Sequence, residues 1–241
     1  MNDKPNGHPD THPHPLYVTL IFDESGSMQS CKGAAIAGLN LYVATLRQEP
    51  ADTRFTLTLF NSGKTEVRYQ ASPVSIVQDL DVETYRPDHG TPLYDAIGRT
   101  LSAAKQEAPA DARRLCVILT DGEENASKEY TRTKIFALIK ACEKQGWTFL
   151  YLGADHDVWA AGESLGIVGE NRISFDKRNV GNTFRQLSEQ TARYRRRKQS
   201  DQGAGLGGEA VRSAQNTQRG EQAGSQLMSS WFLWFSDQPT K

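Results

Sequence analysis

The sequence predicts an α/β fold in which a doubly wound, mostly parallel sheet carries helices on both faces. From residue 16 to about residue 198, short apolar runs alternate with amphipathic stretches of helical period. Strands that alternate with helices form right-handed crossovers, which place parallel strands in one sheet. We expect a six-stranded sheet in the order 3-2-1-4-5-6, with the third strand antiparallel at one edge.

The first predicted elements are a strand, a helix and a hairpin. Residues 16–22 form a continuous β-branched and aromatic run, which is typical of a buried central strand. Residues 33–48 carry apolar side chains at helical spacing. Residues 55–60 and 65–69 have strand patterns, and the turn between them is so short that it allows only an antiparallel hairpin.

The later elements continue the alternation. Residues 92–106 predict a long helix, and Pro92 suits its first turn. Residues 115–119 (LCVIL) predict a second buried strand, and Gly146 is suited to end the helix that follows it. The remaining patterns predict helices over residues 74–80, 131–145, 158–165 and 181–198, and strands over residues 147–152 and 172–175.

Composition narrows the classes of function. The formal net charge of the 241 residues is -1, so no global field indicates nucleic acid or an anionic membrane as a partner. Three widely spaced cysteines indicate neither a disulfide framework nor a zinc cluster, and we expect Cys116 and Cys142 to be core residues. No stretch is long enough for a membrane span, and the N-terminus has no apolar signal segment. We therefore expect a cytoplasmic protein.

The polar ends of the chain indicate three regions. We expect residues 1–15 to be a disordered, Pro/His-rich leader and residues 16–198 to form the domain. Residues 199–241 indicate a flexible Gly/Gln/Ser-rich tail that ends in an aromatic cluster at residues 231–235. A G-x-G-x-x-G pattern at residues 203–208 follows no strand, so we do not interpret it as a dinucleotide site.

Acidic and hydroxyl side chains follow the two buried strands. Asp23, Ser25 and Ser27 come directly after the first strand, and Asp121 comes after the second. Thr91 lies in a separate loop that precedes a helix. In the predicted strand order these loops open into one crevice, where ligands of such sheets bind. Because oxygen ligands suit magnesium, manganese and calcium, the pattern predicts a hard-cation site.

Structural interpretations of the same residues stay open. Asp23 and Ser25 could cap the following helix, Thr91 could cap another, and Asp121 could belong to a turn with Gly122. Two further features have open interpretations. The basic run at residues 193–198 suits a solvated helix end more than a nucleic-acid contact. Residues 155–157 (Asp-His-Asp) could shape a partner surface or cap a helix.

The five candidate residues resemble the metal-ion-dependent adhesion site (MIDAS) of the von Willebrand factor type A (vWA) domain family, in its intracellular bacterial or phage-linked form. The resemblance rests on Asp23-x-Ser25-x-Ser27, on Thr91 in Gly-Thr-Pro-Leu and on Asp121 in Leu-Thr-Asp-Gly. It implies a complete site: Ser25, Ser27 and, in the binding-competent state, Thr91 contact the metal directly, and Asp23 and Asp121 do so directly or through water. The implied cofactor is a divalent cation, magnesium first, with manganese or calcium as alternatives.

The resemblance implies a binding module and not an enzyme. One coordination position stays open for an acidic side chain, so the expected partner is a protein with an exposed Asp or Glu. A metal-assisted phosphatase or hydrolase is a second hypothesis, although Ser25 stands where a haloacid dehalogenase-type phosphatase has Asp, and neither Ser25 nor Ser27 stands in a G-x-S-x-G elbow. A structural subunit that docks through its aromatic C-terminal tail is a third. The sequence leaves the oligomeric state open.

Overall fold

A mixed six-stranded sheet forms the centre of the computed structural model, which describes residues 14–49, 52–154, 158–175 and 177–196. The strands are β1 (Leu16–Asp23), β2 (Thr53–Asn61), β3 (Lys64–Pro73), β4 (Arg113–Thr120), β5 (Trp147–Ala154) and β6 (Arg172–Phe175). Their order is β3-β2-β1-β4-β5-β6. Neighbouring strands are parallel except β2 and β3, which are antiparallel. The predicted fold class is confirmed, including the antiparallel third strand at the edge.

Helices cover both faces of the sheet. They are α1 (Lys32–Gln48), α2 (Leu93–Glu107), α3 (Arg132–Lys144), α4 (Val158–Ser164) and α5 (Val180–Arg196). Single 3-10 segments occur at Gly26–Cys31, Val74–Ile76, Gly169–Asn171 and Lys177–Asn179. Side chains of α1 and α5 share one buried cluster, and those of α2 and α3 share the other.

The two clusters divide the side chains of the central strands by their alternation. Leu20 and Phe22 of β1 belong to the cluster with α1 and α5, whereas Ile21 between them belongs to the opposite cluster. Cys116 and Cys142 are free and buried, as predicted for core residues. Each central strand is therefore buried on both faces, and its functional groups emerge only at its ends.

A glycine allows α1 and α5 to approach closely. A Cβ atom on Gly38 of α1 would lie 2.1 Å from the Phe184 ring of α5. Phe184 is fully buried at this contact. The absence of a side chain at position 38 therefore lets the aromatic ring pack directly against the backbone of α1.

The helix predicted over residues 74–80 is wrong. Only Val74–Ile76 forms one 3-10 turn, and the chain then runs on without a helix. Side chains of α1 bind the backbone instead: Asn40 donates to the Leu80 carbonyl and accepts the Leu80 N–H, both at 2.9 Å. Arg47 donates to the Val77 carbonyl. Since these groups find partners on α1, the segment needs no helical hydrogen bonds.

The hairpin strand β3 is longer than predicted. It runs from Lys64 to Pro73, whereas the pattern indicated only residues 65–69. The pairing with β2 shifts on either side of Leu57, and Ala71 has a φ of 44°. Its N–H donates to Thr56 Oγ1 at 2.9 Å. A bulge therefore lets the pairing with β2 continue through polar residues, whose sequence pattern does not indicate a strand.

The start of α2 differs by one residue from the prediction. Pro92 is the N-cap and the helix begins at Leu93, although Pro92 still supplies the carbonyl for Ala96 N–H at 3.0 Å. Gly146 ends α3 as predicted, with a φ of 84° that favours glycine.

The basic run at the end of α5 is only partly solvated. Arg193 and Arg196 are exposed, but Tyr194 is buried. Arg195 donates to Thr53 Oγ1 at 2.7 Å, and its side chain is only 8% exposed. The prediction of a solvated face is therefore wrong for Tyr194 and Arg195, because these two side chains pack against the sheet.

Several sequence predictions lie outside the described residues. They concern the leader up to residue 13, residues 155–157, the last two residues of the basic run, and the tail over residues 199–241 with its glycine-rich pattern and aromatic cluster. Within the described ranges, no helix has the length and apolar character needed to cross a membrane.

Candidate metal centre

The ends of β1 and β4 bring the two candidate aspartates together. Asp23 is the last residue of β1, and Asp121 directly follows Thr120 at the end of β4. The two strands are parallel neighbours with Phe22 opposite Leu119. Thr120 Oγ1 donates to Asp23 Oδ2 at 2.5 Å, so the end of β4 binds the β1 carboxylate directly. Both carboxylates emerge at the point where the strand order reverses.

The three candidate hydroxyls surround one point. Ser25 Oγ lies 3.1 Å from Ser27 Oγ, and Ser27 Oγ donates to Asp121 Oδ1 at 2.6 Å. A Cβ atom on Gly122 would lie 3.0 Å from Thr91 Oγ1, 3.3 Å from Ser27 Oγ and 3.8 Å from Ser25 Oγ. The structure thus gathers all the predicted residues, and glycine at position 122 keeps the space between the hydroxyls open.

The capping interpretation does not hold for the hydroxyl residues. Ser25 is the N-cap of the 3-10 segment, but its side chain makes no capping hydrogen bond. The N-cap of α2 is Pro92, so Thr91 does not cap that helix. Asp23 Oδ1 does accept the Ser25 N–H at 2.7 Å, which is a local turn bond. The orientation of the Ser25 and Thr91 hydroxyls therefore needs an explanation other than capping.

Both carboxylates are buried, and this burial affects their charge. The Asp23 side chain has no solvent exposure, and burial raises its pKa to about 6, although hydrogen bonds from Thr120 and Ser25 oppose the rise. The nearby charge of Asp121 raises the Asp23 pKa further. The Asp121 side chain is also 0% exposed, and Lys177 Nζ lies 2.7 Å from its Oδ2. A buried carboxylate without a positive charge beside it is costly, and Lys177 supplies such a charge to Asp121.

A third buried acid, Glu24, fixes the loop that leads to Thr91. Its side chain has no exposure; Oε1 accepts the Arg86 N–H at 2.6 Å and Oε2 lies 2.9 Å from Lys64 Nζ. Tyr85 OH donates to the Asp23 carbonyl at 2.6 Å. Sequence reasoning missed Glu24 and Tyr85. Glu24 stands at an x position of the Asp-x-Ser-x-Ser motif, and no local signal indicates its burial.

Asn125 joins the Thr91 loop to the Asp121 loop. Its Oδ1 accepts the Thr91 N–H at 2.8 Å, and its own N–H donates to the Thr91 carbonyl at 3.1 Å. Glu124 Oε2 accepts the Tyr94 N–H at 2.9 Å. These bonds hold Thr91 at a fixed position relative to Asp121. Sequence patterns indicated no role for Asn125 or Glu124, because their partners are distant in the chain.

A cavity of about 430 Å³ lies beside the candidate centre. Asp121, Gly122 and Glu123 form its polar side, and its other lining residues are mostly apolar or small, among them Leu93, Tyr151, Ala161 and Leu165. The centre therefore adjoins a concave surface that is open to a ligand.

The donor set fits a hard cation. Two carboxylates and three hydroxyls are oxygen donors, which magnesium, manganese and calcium prefer. Within the part of the chain that the structure describes, no group of three or more His, Cys, Asp or Glu side chains converges, as a typical zinc site would require. The arrangement can hold a divalent cation through oxygen atoms and leave part of its coordination to another molecule.

The chain belongs to the vWA domain family. The family's sequence profile, described as the von Willebrand factor type A domain, matches residues 18–190. Domains of this family are known for metal-dependent adhesion and protein interaction. A comparison with curated proteins finds no match.

Solved structures show the same fold at low sequence identity. Proximal thread matrix protein 1 from the mussel byssus has a TM-score of 0.54 and 11% identity, over 73% of this chain and 46% of that chain. The pilus adhesin SpaC from Lactobacillus rhamnosus GG, in an open conformation, has a TM-score of 0.56 and 14% identity, over 73% of this chain and 30% of that chain. This chain thus spans less than half the length of either protein.

The structure of one isolated vWA domain is matched over nearly its whole length. The SpRpn10 VWA domain has a TM-score of 0.51 and 10% identity, over 71% of this chain and 94% of that chain. A further structure of the mussel protein, with a TM-score of 0.52 and 13% identity over 75% of this chain and 46% of that chain, is described as having a zinc-occupied MIDAS motif.

Proposed function

We propose that Asp23, Ser25, Ser27, Thr91 and Asp121 form a complete MIDAS, which binds a divalent cation and captures an acidic side chain of a partner protein. The observation that carries this proposal is the placement of three hydroxyl oxygens around the space at Gly122, next to the buried Asp121. A bound cation would supply an electrophilic position that a carboxylate from outside can fill.

The hydroxyl ligands explain why a partner carboxylate would be needed. Neutral oxygens of Ser25, Ser27 and Thr91 bind a cation without cancelling its charge. Asp23 and Asp121 are held by hydrogen bonds from Thr120 and Ser27, which orient them toward the same crevice. We infer that magnesium is the resident ion, since all five donors are oxygen atoms.

A binding role is favoured over catalysis by the class of the structural neighbours. One is described as a pilus adhesin and another as a thread matrix protein. We propose that the present chain is likewise a non-enzymatic binding module, of the intracellular bacterial or phage-linked form. Its three cysteines are all free and buried, which fits a reducing cytoplasmic compartment.

Calorimetric titration of metal-stripped protein with Mg²⁺ or Mn²⁺ tests the proposal. The wild-type protein should bind one ion per chain, and Ser27→Ala should lose measurable binding because a candidate ligand is removed. Ser30→Ala is the matched control, since Ser30 is not a candidate ligand and its Oγ donates to the Ser27 carbonyl at 3.1 Å. Absence of binding by the wild-type protein would contradict the proposal.

A further inference from the structure

Lys177 places a positive charge beside the candidate metal centre. It lies in the 3-10 segment between β6 and α5, and its Nζ is 2.7 Å from Asp121 Oδ2. The other oxygen of Asp121 accepts the Ser27 hydroxyl at 2.6 Å. Both oxygens of this fully buried carboxylate therefore have partners from the protein itself.

We propose that Lys177 is a tethered cation that competes with the divalent metal for Asp121 and thereby sets the metal affinity of the site. This inference rests on the proposed function, because it concerns the same centre. Its own support is the ion pair between the ammonium and the carboxylate that would hold the metal.

The competition follows from charge and distance. A divalent ion held by Ser27 and Asp121 would lie within a few ångströms of the ammonium that is already bound to the same carboxylate. Like charges repel strongly at such a distance when the groups are shielded from water. Either the metal or the ammonium therefore neutralises the charge of Asp121, and the binding of one excludes the other.

The chemistry of lysine suits a cation that withdraws. Its ammonium is a point charge on a flexible stem, whereas arginine forms a rigid, bidentate pair with a carboxylate. The Lys177 side chain is 30% exposed while that of Asp121 is fully buried. The ammonium can therefore move into solvent when a metal arrives, and the carboxylate stays in place.

The pairing also explains how the centre can exist without metal. Asp23 and Asp121 are both buried, and the charge of Asp121 acts on Asp23. Without the ammonium, the buried Asp121 carboxylate of the metal-free site would lose its ion-pair partner, which is costly. Lys177 removes this cost in the metal-free protein and adds an opposing cost to metal binding.

Metal titration of charge variants tests the competition. Lys177→Met should bind Mg²⁺ about 10-fold more tightly than wild type or better, because the repulsion between the ammonium and the divalent ion is removed. Lys177→Arg keeps the charge and should bind no more tightly than wild type. Lys140→Met is the matched control. The Lys140 side chain is 35% exposed and pairs with Glu143 on α3, so the Mg²⁺ affinity of this variant should equal that of wild type.

A second measurement uses the wild-type protein and so does not depend on how the variant folds. Acylation of lysines, followed by mass spectrometry, should show that Lys177 becomes more reactive when Mg²⁺ is added, because the ammonium leaves Asp121. The reactivity of Lys140 should stay constant.

The outcomes separate this inference from the proposed function. Weaker Mg²⁺ binding by Lys177→Met would mean that Lys177 only orients Asp121, and unchanged binding would mean that it plays no part; either result overturns the competition. Unchanged or lower acylation of Lys177 in Mg²⁺ would overturn it as well. Failure of the wild-type protein to bind any divalent ion would instead contradict the proposed metal site itself.

Discussion

Single residues decide whether the candidate centre is open to a ligand. Gly122 lies between the hydroxyls of Thr91, Ser27 and Ser25, and any side chain there would enter their shared space. The backbone itself does not demand glycine, because the residues with positive φ do not include Gly122. We infer that the lack of a side chain at this position serves the site and not the turn.

Gly122→Ala should therefore abolish Mg²⁺ binding and leave the fold intact. The added methyl group would lie 3.0 Å from Thr91 Oγ1, where it would block the approach of a cation to the hydroxyls. Calorimetry gives the metal affinity, and thermal unfolding in a chelator gives the stability. Unchanged metal affinity in this variant would show that the cation does not bind between these hydroxyls.

The motif residues could be found from the sequence, but the residues that hold them could not. Asp23, Ser25 and Ser27 follow a strand in a fixed spacing, which is a local signal. Asn125 and Lys177 act through partners that are far away in the chain, Thr91 and Asp121. Only the folded chain brings such pairs together, so single-sequence patterns carry no sign of them.

At the scale of elements, one buried aspartate fastens the loop after β4 to α2. Asp95 of α2 accepts the N–H groups of Lys128, Glu129 and Tyr130 at 2.8 to 2.9 Å. Burial tends to raise the pKa of Asp95, but these donors outweigh it, and the pKa is lower than its ordinary value. The loop that carries Asp121 and Asn125 therefore depends on an ionised carboxylate on α2.

Asp95→Asn should destabilise the domain by about 1–3 kcal/mol at neutral pH, because an amide NH₂ would face backbone donors that lose their acceptor. A carboxyl whose pKa is lowered on folding contributes stability above its unfolded pKa, and this contribution is lost as the pH falls through the folded pKa. The gap between wild type and variant should therefore shrink in acid. Denaturant unfolding at several pH values measures it.

Glu129→Gln is the matched control for Asp95→Asn. Glu129 lies in the same loop, but its side chain is half exposed and pairs with Arg99 at the surface. Its replacement should change the stability little, since exposed ion pairs contribute little. An equal loss of stability in both variants would contradict a special role for Asp95.

The close contact between α1 and α5 leads to a second prediction, which concerns the stability of the domain. Gly38→Ala should destabilise the domain by about 1–3 kcal/mol, because its methyl group would overlap the buried Phe184 ring. Gly33→Ala in the same helix meets no atom within 4 Å and should instead stabilise the domain by up to about 1 kcal/mol. Thermal or denaturant unfolding compares the two. A stabilising Gly38→Ala would show that the helices do not pack this closely.

Element boundaries show where sequence patterns fail. Periodicity located β1 and β4 because both are apolar and buried on both faces. It failed at residues 74–80, where Asn40 and Arg47 of α1 bind the backbone, and at β3, where a bulge at Ala71 extends the pairing. In both segments long-range hydrogen bonds, and not local propensity, decide the conformation.

At the scale of the whole molecule, the core does not depend on the candidate centre. Buried side chains fill both faces of the sheet, whereas the candidate ligands lie in loops beyond the carboxyl ends of the central strands. The strand order itself was predictable, since the handedness of crossovers and one short hairpin leave few topologies. The same rule predicts, from the pattern of strands and helices alone, that Asp23 and Asp121 share one crevice.

Removal of metal should therefore leave the domain folded. Added Mg²⁺ should raise the melting temperature because the ion binds the folded state and not the unfolded chain. The rise should therefore increase with Mg²⁺ concentration. Circular dichroism during heating, in a chelator and in Mg²⁺, measures this effect. Loss of the folded signal in the chelator at room temperature would make the metal a structural requirement of the fold.

The most direct test of the central claim is a selection of displayed peptides on the metal-loaded domain. The account predicts that peptides enriched in Mg²⁺ share an Asp or Glu, dissociate when a chelator is added, and lose binding when that residue is replaced by Asn or Gln. The Gly122→Ala domain should retain none of them. Peptides that bind equally well in chelator, or that need no acidic residue, would contradict a metal centre that captures a carboxylate.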